Sequence, residues 1–197
     1  MSARKDRALI QQPSVFAQVA RPSRHRGEEY PPNMPVGIGV AWLDEHTGSL
    51  VTHWATAYAR SDDAAVALAF AEVLDLIRDR PFVGHTTVRN FEQQMAYARN
   101  ALGNAKSTTR HKPFNGIEGF QRLIIAGERE LFSASCDTLE ESDCEAYHEA
   151  CWWAHSVALP KASQYAAQDR TPYRKGEKLN YLISWDGMML IPDGADA

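Results

Sequence analysis

The stretch that decides the fold runs from residue 36 to residue 58 and reads VGIGVAWLDEHTGSLVTHWATAY. Residues 36–43 and 49–58 are rich in β-branched and aromatic side chains, which favour strands. Between them, residues 44–48 read Asp-Glu-His-Thr-Gly, and such residues form tight turns. Two strand-forming runs around a short turn predict an antiparallel β-hairpin.

An amphipathic helix is predicted directly after this hairpin. Ser61 and Asp62 are residue types that cap helix N-termini. The apolar side chains that follow are spaced i, i+4, i+7, i+8 and i+11, which places them on one face of a helix. They are Val66, Phe70, Val73, Leu74 and Ile77. Pro81 ends this helix because proline cannot continue it.

The remainder of the central region alternates strands and helices. We predict strands at 82–87 and 131–136, helices at 89–102 and 117–126, and a polar, basic loop at 103–116. A last helix begins at the capping box formed by Ser142 and Glu145 and stops at Pro160. This alternation predicts an α/β fold with helices packed on a sheet.

Three regions divide the predicted chain. Residues 1–35 form a basic, proline-containing arm with a possible first strand, and residues 36–160 form the main domain. Residues 161–197 form a polar linker and a C-terminal extension. Within that extension Asp186-Gly187 lies between two apolar runs, which predicts a second β-hairpin.

The order of these elements resembles that of the type 1 ribonuclease H family. Residues 37–51 and the helix start Ser61-Asp62-Asp63-Ala64 are similar to the family's second and third strands and first helix. The segment 99–123 resembles its basic protrusion, and 132–158 its last strand, loop and helix. The resemblance covers residues 36–159 and rests on order and spacing. It implies a ribonuclease H-like mixed sheet with helices on both faces.

The resemblance also implies where catalytic carboxylates would lie. Family enzymes cleave the RNA strand with two divalent ions, which need several converging carboxylates. The first strand, 15–19, holds no acid. The positions on the first helix, the fourth strand and the last helix fall at Ala65 or Val66, near Thr87 and near Tyr147. We therefore expect a pseudoenzyme with no metal site and no cofactor.

Segregated charge favours a nucleic-acid partner. Residues 93–117 contain four lysines and arginines and no acid, whereas 128–149 contain eight acids and one arginine. The resemblance implies that the first of these segments grips an RNA/DNA hybrid or duplex through phosphate contacts. The expected contacts are Arg99, Lys106, Arg110, His111 and Lys112. The arm would add Arg4, Lys5, Arg7, Arg21, Arg24 and Arg26.

Two alternatives to this binding module stay open. Relocated acids would make the chain a magnesium- or manganese-dependent ribonuclease, with Asp44, Glu72 and Asp143 as candidates and Asp75, Glu145 and Glu149 as further acids. Alternatively, the chain is a scaffold that meets a protein partner through the C-terminal hairpin and the acidic segment 128–149.

Other patterns carry less weight. Residues 79–85 with Phe91 look like the second motif of proofreading exonucleases, but the required acids are missing. Cys144, His148, Cys151 and His155 form one helical stripe, too long for a single zinc ion. Tryptophans 42, 54, 152 and 153 are expected mainly in the core.

Composition bounds the class of protein. Hydrophobic residues make up 44% of 197, enough for a buried core. No apolar run approaches the length needed to cross a membrane, and the N-terminus lacks the apolar stretch of a signal peptide. Three clustered cysteines fit reduced thiols, so we expect a cytoplasmic protein.

Overall fold

The computed structural model describes residues 12–22, 35–44, 46–59, 61–78, 80–107, 118–135, 145–167 and 181–191. Its strands are β1 (Ser14–Ala20), β2 (Pro35–Asp44), β3 (Ser49–Tyr58), β4 (Phe82–His85), β5 (Phe132–Ser135) and β6 (Tyr181–Ile191). Its helices are α1 (Asp62–Leu76), α2 (Phe91–Ser107), α3 (Glu118–Glu128), α4 (Glu145–Trp152) and α5 (Leu159–Ala167). A π-helical segment, Trp153–Ala158, joins α4 to α5.

The strands form one six-stranded mixed sheet in the order β5-β4-β1-β2-β3-β6. The hairpin of β2 and β3 is present as predicted, with Leu43 opposite Leu50 and Asp44 opposite Ser49 beside the turn. The possible first strand is also present: β1 pairs antiparallel with β2 and parallel with β4. Residues 14–20 therefore lie inside the sheet, between two strands of the predicted main domain.

Helices cover both faces of the sheet, as predicted. Alternate residues of a strand point to opposite faces. Val15 and Ala17 join the larger apolar core with α1 and α3, whereas Phe16 joins Ala146 and Ala150 of α4 in a smaller cluster. At the centre of the larger core, Phe70 of α1 contacts the rings of three other phenylalanines. These are Phe82, Phe91 and Phe132. None of the described helices is both long and apolar enough to cross a membrane.

The predicted C-terminal hairpin is wrong. Residues 181–191 form one continuous strand, β6, antiparallel to β3. Asp186-Gly187 lies in a register irregularity, where Thr52 pairs with Met189 and Trp54 with Asp186, so β6 contains one extra residue at this point. A bulge of this kind absorbs the turn-forming pair without reversing the chain. Pairing with β3 lets backbone groups along the whole of residues 181–191 bond to a neighbouring strand, whereas an isolated hairpin would pair only its two short arms with each other.

The predicted end of the last helix at Pro160 is also wrong, because the chain remains helical through Ala167. The backbone widens before the proline: Leu159 donates its N–H to the carbonyl of Ala154, five residues back. Pro160 is then the second residue of α5, and the first turn of a helix tolerates a missing N–H.

The helical segment from α4 to α5 lies unusually close to β2 at two glycines of that strand. A Cβ atom on Gly39 would lie 1.9 Å from the carbonyl oxygen of Ala150. A Cβ atom on Gly37 would lie 2.4 Å from the backbone nitrogen of Leu159. Because backbone rather than flexible side chain fills this space, only glycine allows the helix to approach the sheet here.

We expect Gly39→Ala to destabilise the protein by about 1–3 kcal/mol or more, because overpacking must move the helix. The matched control is Gly103→Ala in α2, where a Cβ atom would meet nothing within 4 Å. That change should stabilise by about 0.5–1 kcal/mol, because alanine favours the helix. Urea denaturation of both variants checks this, and equal effects would contradict the close approach at Gly39.

His53 of β3 is a buried titratable group in the sheet, 3% exposed, with its ring stacked on Trp42 at 5.4 Å between ring centroids. Burial lowers the pKa of His53 from 6.5 to about 4. Below pH 6.5 the unfolded chain therefore binds a proton that the folded chain refuses, so stability is lost as the pH falls from 6.5 towards 4.

We expect His53→Phe, which keeps an aromatic ring against Trp42, to flatten the loss of stability over this acidic range. The control is His46→Gln, in the exposed turn between β2 and β3, which should leave the pH profile unchanged. Thermal unfolding across the range measures both. A His53→Phe profile as steep as the wild type would show that another group causes the acid sensitivity.

Candidate nucleic-acid cleft

A cleft of about 600 Å³ opens beside the carboxyl ends of β1 and β4, next to the first turn of α1. Ligands of α/β proteins bind at the carboxyl ends of parallel strands. Most of its lining is polar. The lining residues are Gln18, Val19, Arg21, Ser61, Asp62, Asp63, Thr87, Val88, Arg89 and Asn90. We call this the β1–β4 cleft.

A neutral hydrogen bond joins the two strand ends inside the cleft. The hydroxyl of Thr87 donates to Oε1 of Gln18 at 2.8 Å. Gln18 is 6% exposed, and its Nε2 has no hydrogen-bond partner among the described residues. The resemblance placed one carboxylate on the first strand and one near Thr87. An amide and a hydroxyl are found there instead.

An ion pair closes one side of the cleft. Nε of Arg21, which follows β1, contacts the carboxylate of Asp62 at the start of α1. The side chain of Arg21 is only 17% exposed. Asp62 and Asp63 also lie in the first turn of α1, where negative charge is favourable beside the helix N-terminus. Arg89 and Asp63 also line the cleft, so the formal charges of the described lining cancel.

These residues do not fit a two-metal site. Magnesium and manganese require several converging oxygen ligands, and Asp62 and Asp63 are the only carboxylates among the described residues that line the cleft. Arg21 already binds Asp62. Throughout the described part of the chain, no three His, Cys, Asp or Glu residues are grouped so as to hold a metal ion.

The acids proposed from the sequence as relocated ligands lie elsewhere. Asp44 is the last residue of β2, at the opposite end of the sheet from the cleft, and its carboxylate accepts a hydrogen bond from the N–H of His46 at 3.0 Å. Glu72 accepts a hydrogen bond from Arg122 of α3 at 2.9 Å, and Asp75 does so at 2.6 Å. Asp143 lies outside the described residues.

Glu72 and Asp75 have a structural role, because both pair with Arg122. Burial alone would lower the pKa of Arg122, but hydrogen bonds and charges from Asp75 and Glu72 outweigh it and raise that pKa. The guanidinium therefore stays charged and fastens α1 to α3. This ion pair serves the fold and leaves neither acid available at the cleft.

The predicted phosphate contacts are only partly within the described structure. Arg99 is exposed on α2, where it lines a second cavity of about 300 Å³ between α2, α3 and β5. Lys106 belongs to the last turn of α2. Arg110, His111 and Lys112 lie outside the described residues. Their joint surface therefore stays a prediction.

The structure also describes the surroundings of the histidine, tryptophan and cysteine residues noted in the sequence. His85 stacks on Phe16 at 4.9 Å between ring centroids and contacts the hydroxyl of Ser14. Trp153 is buried, and its indole donates to Glu149, whereas Trp152 is 52% exposed. Burial raises the pKa of Cys151, partly opposed by a hydrogen bond from Tyr147, which is expected of an unreactive thiol.

The sequence reasoning missed most of the cleft. Arg21 was assigned to a separate arm, and Asp62 was interpreted only as a helix cap. Arg89 and Asn90 were not singled out. The parallel pairing of β1 with β4 brings these residues together, and only the weak strand pattern at 14–20 pointed to it.

Comparisons with known proteins support the fold. No protein-family model matches the chain, and neither does any curated protein. A solved structure described as LC9-RNase H1, a type 1 RNase H with the type 2 active-site motif, is similar with a TM-score of 0.52 and 14% sequence identity. The match covers 79% of this chain and 81% of the other. The chain therefore has a ribonuclease H-like fold.

The Gln18–Thr87 hydrogen bond can be tested by a double-mutant cycle. Thr87→Val leaves the buried Oε1 of Gln18 without its donor, and we expect a loss of about 1–3 kcal/mol in the free energy of unfolding. The same change made in a Gln18→Met background should cost almost nothing. Urea denaturation of the four proteins measures the coupling, and an equal cost in both backgrounds would mean that the bond contributes nothing.

Proposed function

We propose that the chain is a non-catalytic module with a ribonuclease H-like fold that binds nucleic acid, either alone or within a nucleoprotein assembly. The observation that carries the proposal is the composition of the β1–β4 cleft. The facing strand ends present an amide and a hydroxyl, and one of the two acids in the lining is bound by Arg21. Such a site offers hydrogen bonds and charge but too few ligands for metal-assisted cleavage.

The distribution of basic residues supports a polyanionic partner. Arg99 is exposed on α2, and the chain beyond this helix adds Arg110 and Lys112 before the next acid, Glu118. Arg21 and Arg89 line the cleft itself. Contacts between these cations and phosphates would give salt-dependent affinity with little sequence preference.

A second candidate is a metal-dependent ribonuclease that uses other acids. The observation in its favour is that Asp62 and Asp63 both line the cleft. For this candidate to hold, Asp62 must leave Arg21, and residues such as Asp143 must complete the ligand set. A magnesium- or manganese-dependent cleavage that disappears in Asp63→Asn would establish it.

A third candidate is a scaffold that binds another protein, and its surface is the acidic segment 128–149. The C-terminal residues 181–191 pair with β3 as one strand, so they do not form the free docking hairpin that the sequence predicted. Stable association with a protein partner, together with no affinity for nucleic acid at low salt, would favour this candidate.

The triple variant Lys106→Ala/Arg110→Ala/Lys112→Ala tests the proposed interface. If each side chain neutralises one phosphate, the slope of log affinity against log salt should fall by about 1 per residue. The matched control removes three exposed cations elsewhere, as Arg80→Ala/Arg129→Ala/Lys161→Ala. Band shifts of a labelled RNA/DNA hybrid at several salt concentrations measure both, and wild-type binding by the first variant would rule out this interface.

A further inference from the structure

We infer that the β1–β4 cleft is a metal-independent phosphodiester site in which Arg21 and Arg89 supply the positive charge. The inference rests on the proposed function and names the part of the nucleic acid that the cleft would hold. Arg21 and Arg89 follow neighbouring parallel strands and line the same cleft. The fold therefore places both cations beside the carboxyl ends of these two strands.

Arg21 is a fixed cation in the wall of the cleft. Its side chain is largely buried and its Nε contacts Asp62. It makes a further contact as well. A guanidinium has five N–H donors in a rigid fork, so one arginine can contact more than one acceptor. Arginine can thus bind a carboxylate along one edge while it presents its charge to a phosphate.

Arg89 is the exposed counterpart at the rim. It lies in the turn between β4 and α2, beside Asn90, whose amide adds donors to the same lining. Among the described residues no carboxylate forms an ion pair with Arg89, so its guanidinium is not already engaged by one. A phosphate entering the cleft would pass this charge first and then meet Arg21 deeper in the wall.

The negative charge of Asp63 provides a test of the inference, because a bound phosphodiester and a bound metal ion predict opposite changes in affinity when that charge is removed. It lines the cleft and has no cationic partner among the described residues, so its charge opposes an anion but would attract a metal cation. If the cleft holds a phosphodiester, removing this charge must strengthen binding. If the cleft instead holds a metal ion that bridges to phosphate, the same change must weaken binding.

Fluorescence anisotropy of a labelled RNA/DNA hybrid, measured with EDTA present, provides the test. Arg89→Ala should weaken binding severalfold and lower the salt slope by about 1, and Arg89→Lys, which keeps the charge, should retain most of that slope. The control is Arg80→Ala, an equal loss of charge on an exposed residue that precedes β4 at its other end. Arg80→Ala should change neither the affinity for the hybrid nor the salt slope.

Asp63→Asn should raise the affinity severalfold under the same conditions. The inference is overturned if Arg89→Ala binds like Arg80→Ala, or if Asp63→Asn weakens binding. In either case wild-type affinity for the hybrid would leave the proposed function intact. If the wild-type protein does not bind the hybrid at low salt, both the inference and the proposed function fail.

Discussion

The double pairing of β1 is the constraint on which the rest of the structure depends. This strand is antiparallel to β2 on one side and parallel to β4 on the other. The parallel pairing brings the carboxyl ends of β1 and β4 together beside α1, and a cleft results. The side chains at these two ends therefore decide what chemistry the fold can perform.

In this chain those side chains form neutral or self-compensating contacts. The hydroxyl of Thr87 donates to Oε1 of Gln18 across the strands, and Arg21 pairs with Asp62. Converging carboxylates repel one another until a metal ion binds them, whereas these contacts stabilise the cleft without one. The end of the sheet is therefore held together by contacts that need no metal ion, as the proposed binding role requires.

Local patterns in the sequence predicted the fold where neighbours in the chain are neighbours in space. The β2–β3 hairpin and the helix α1 were predicted because turn residues and helical spacing act over a few residues. Asp186-Gly187 was misinterpreted because pairing with β3, more than a hundred residues earlier in the chain, overrides local turn preference. The helix end predicted at Pro160 was wrong for a local reason: a π-helical segment precedes it, and Pro160 lies in the first turn of α5, where a missing N–H is tolerated. The cleft itself depends on β1 pairing with β4, a long-range contact that no local pattern specifies, so Arg21 and Arg89 could not be placed together from the sequence.

Incubation of the purified protein with a labelled RNA/DNA hybrid at low salt, in EDTA or in manganese, tests the central claim most directly. Cleavage and band shift are scored in the same reactions. We predict a band shift of equal extent in both conditions and an intact RNA strand. Manganese-dependent cleavage of the RNA strand would contradict it, because the cleft would then have to hold metal ions that its described residues do not fit.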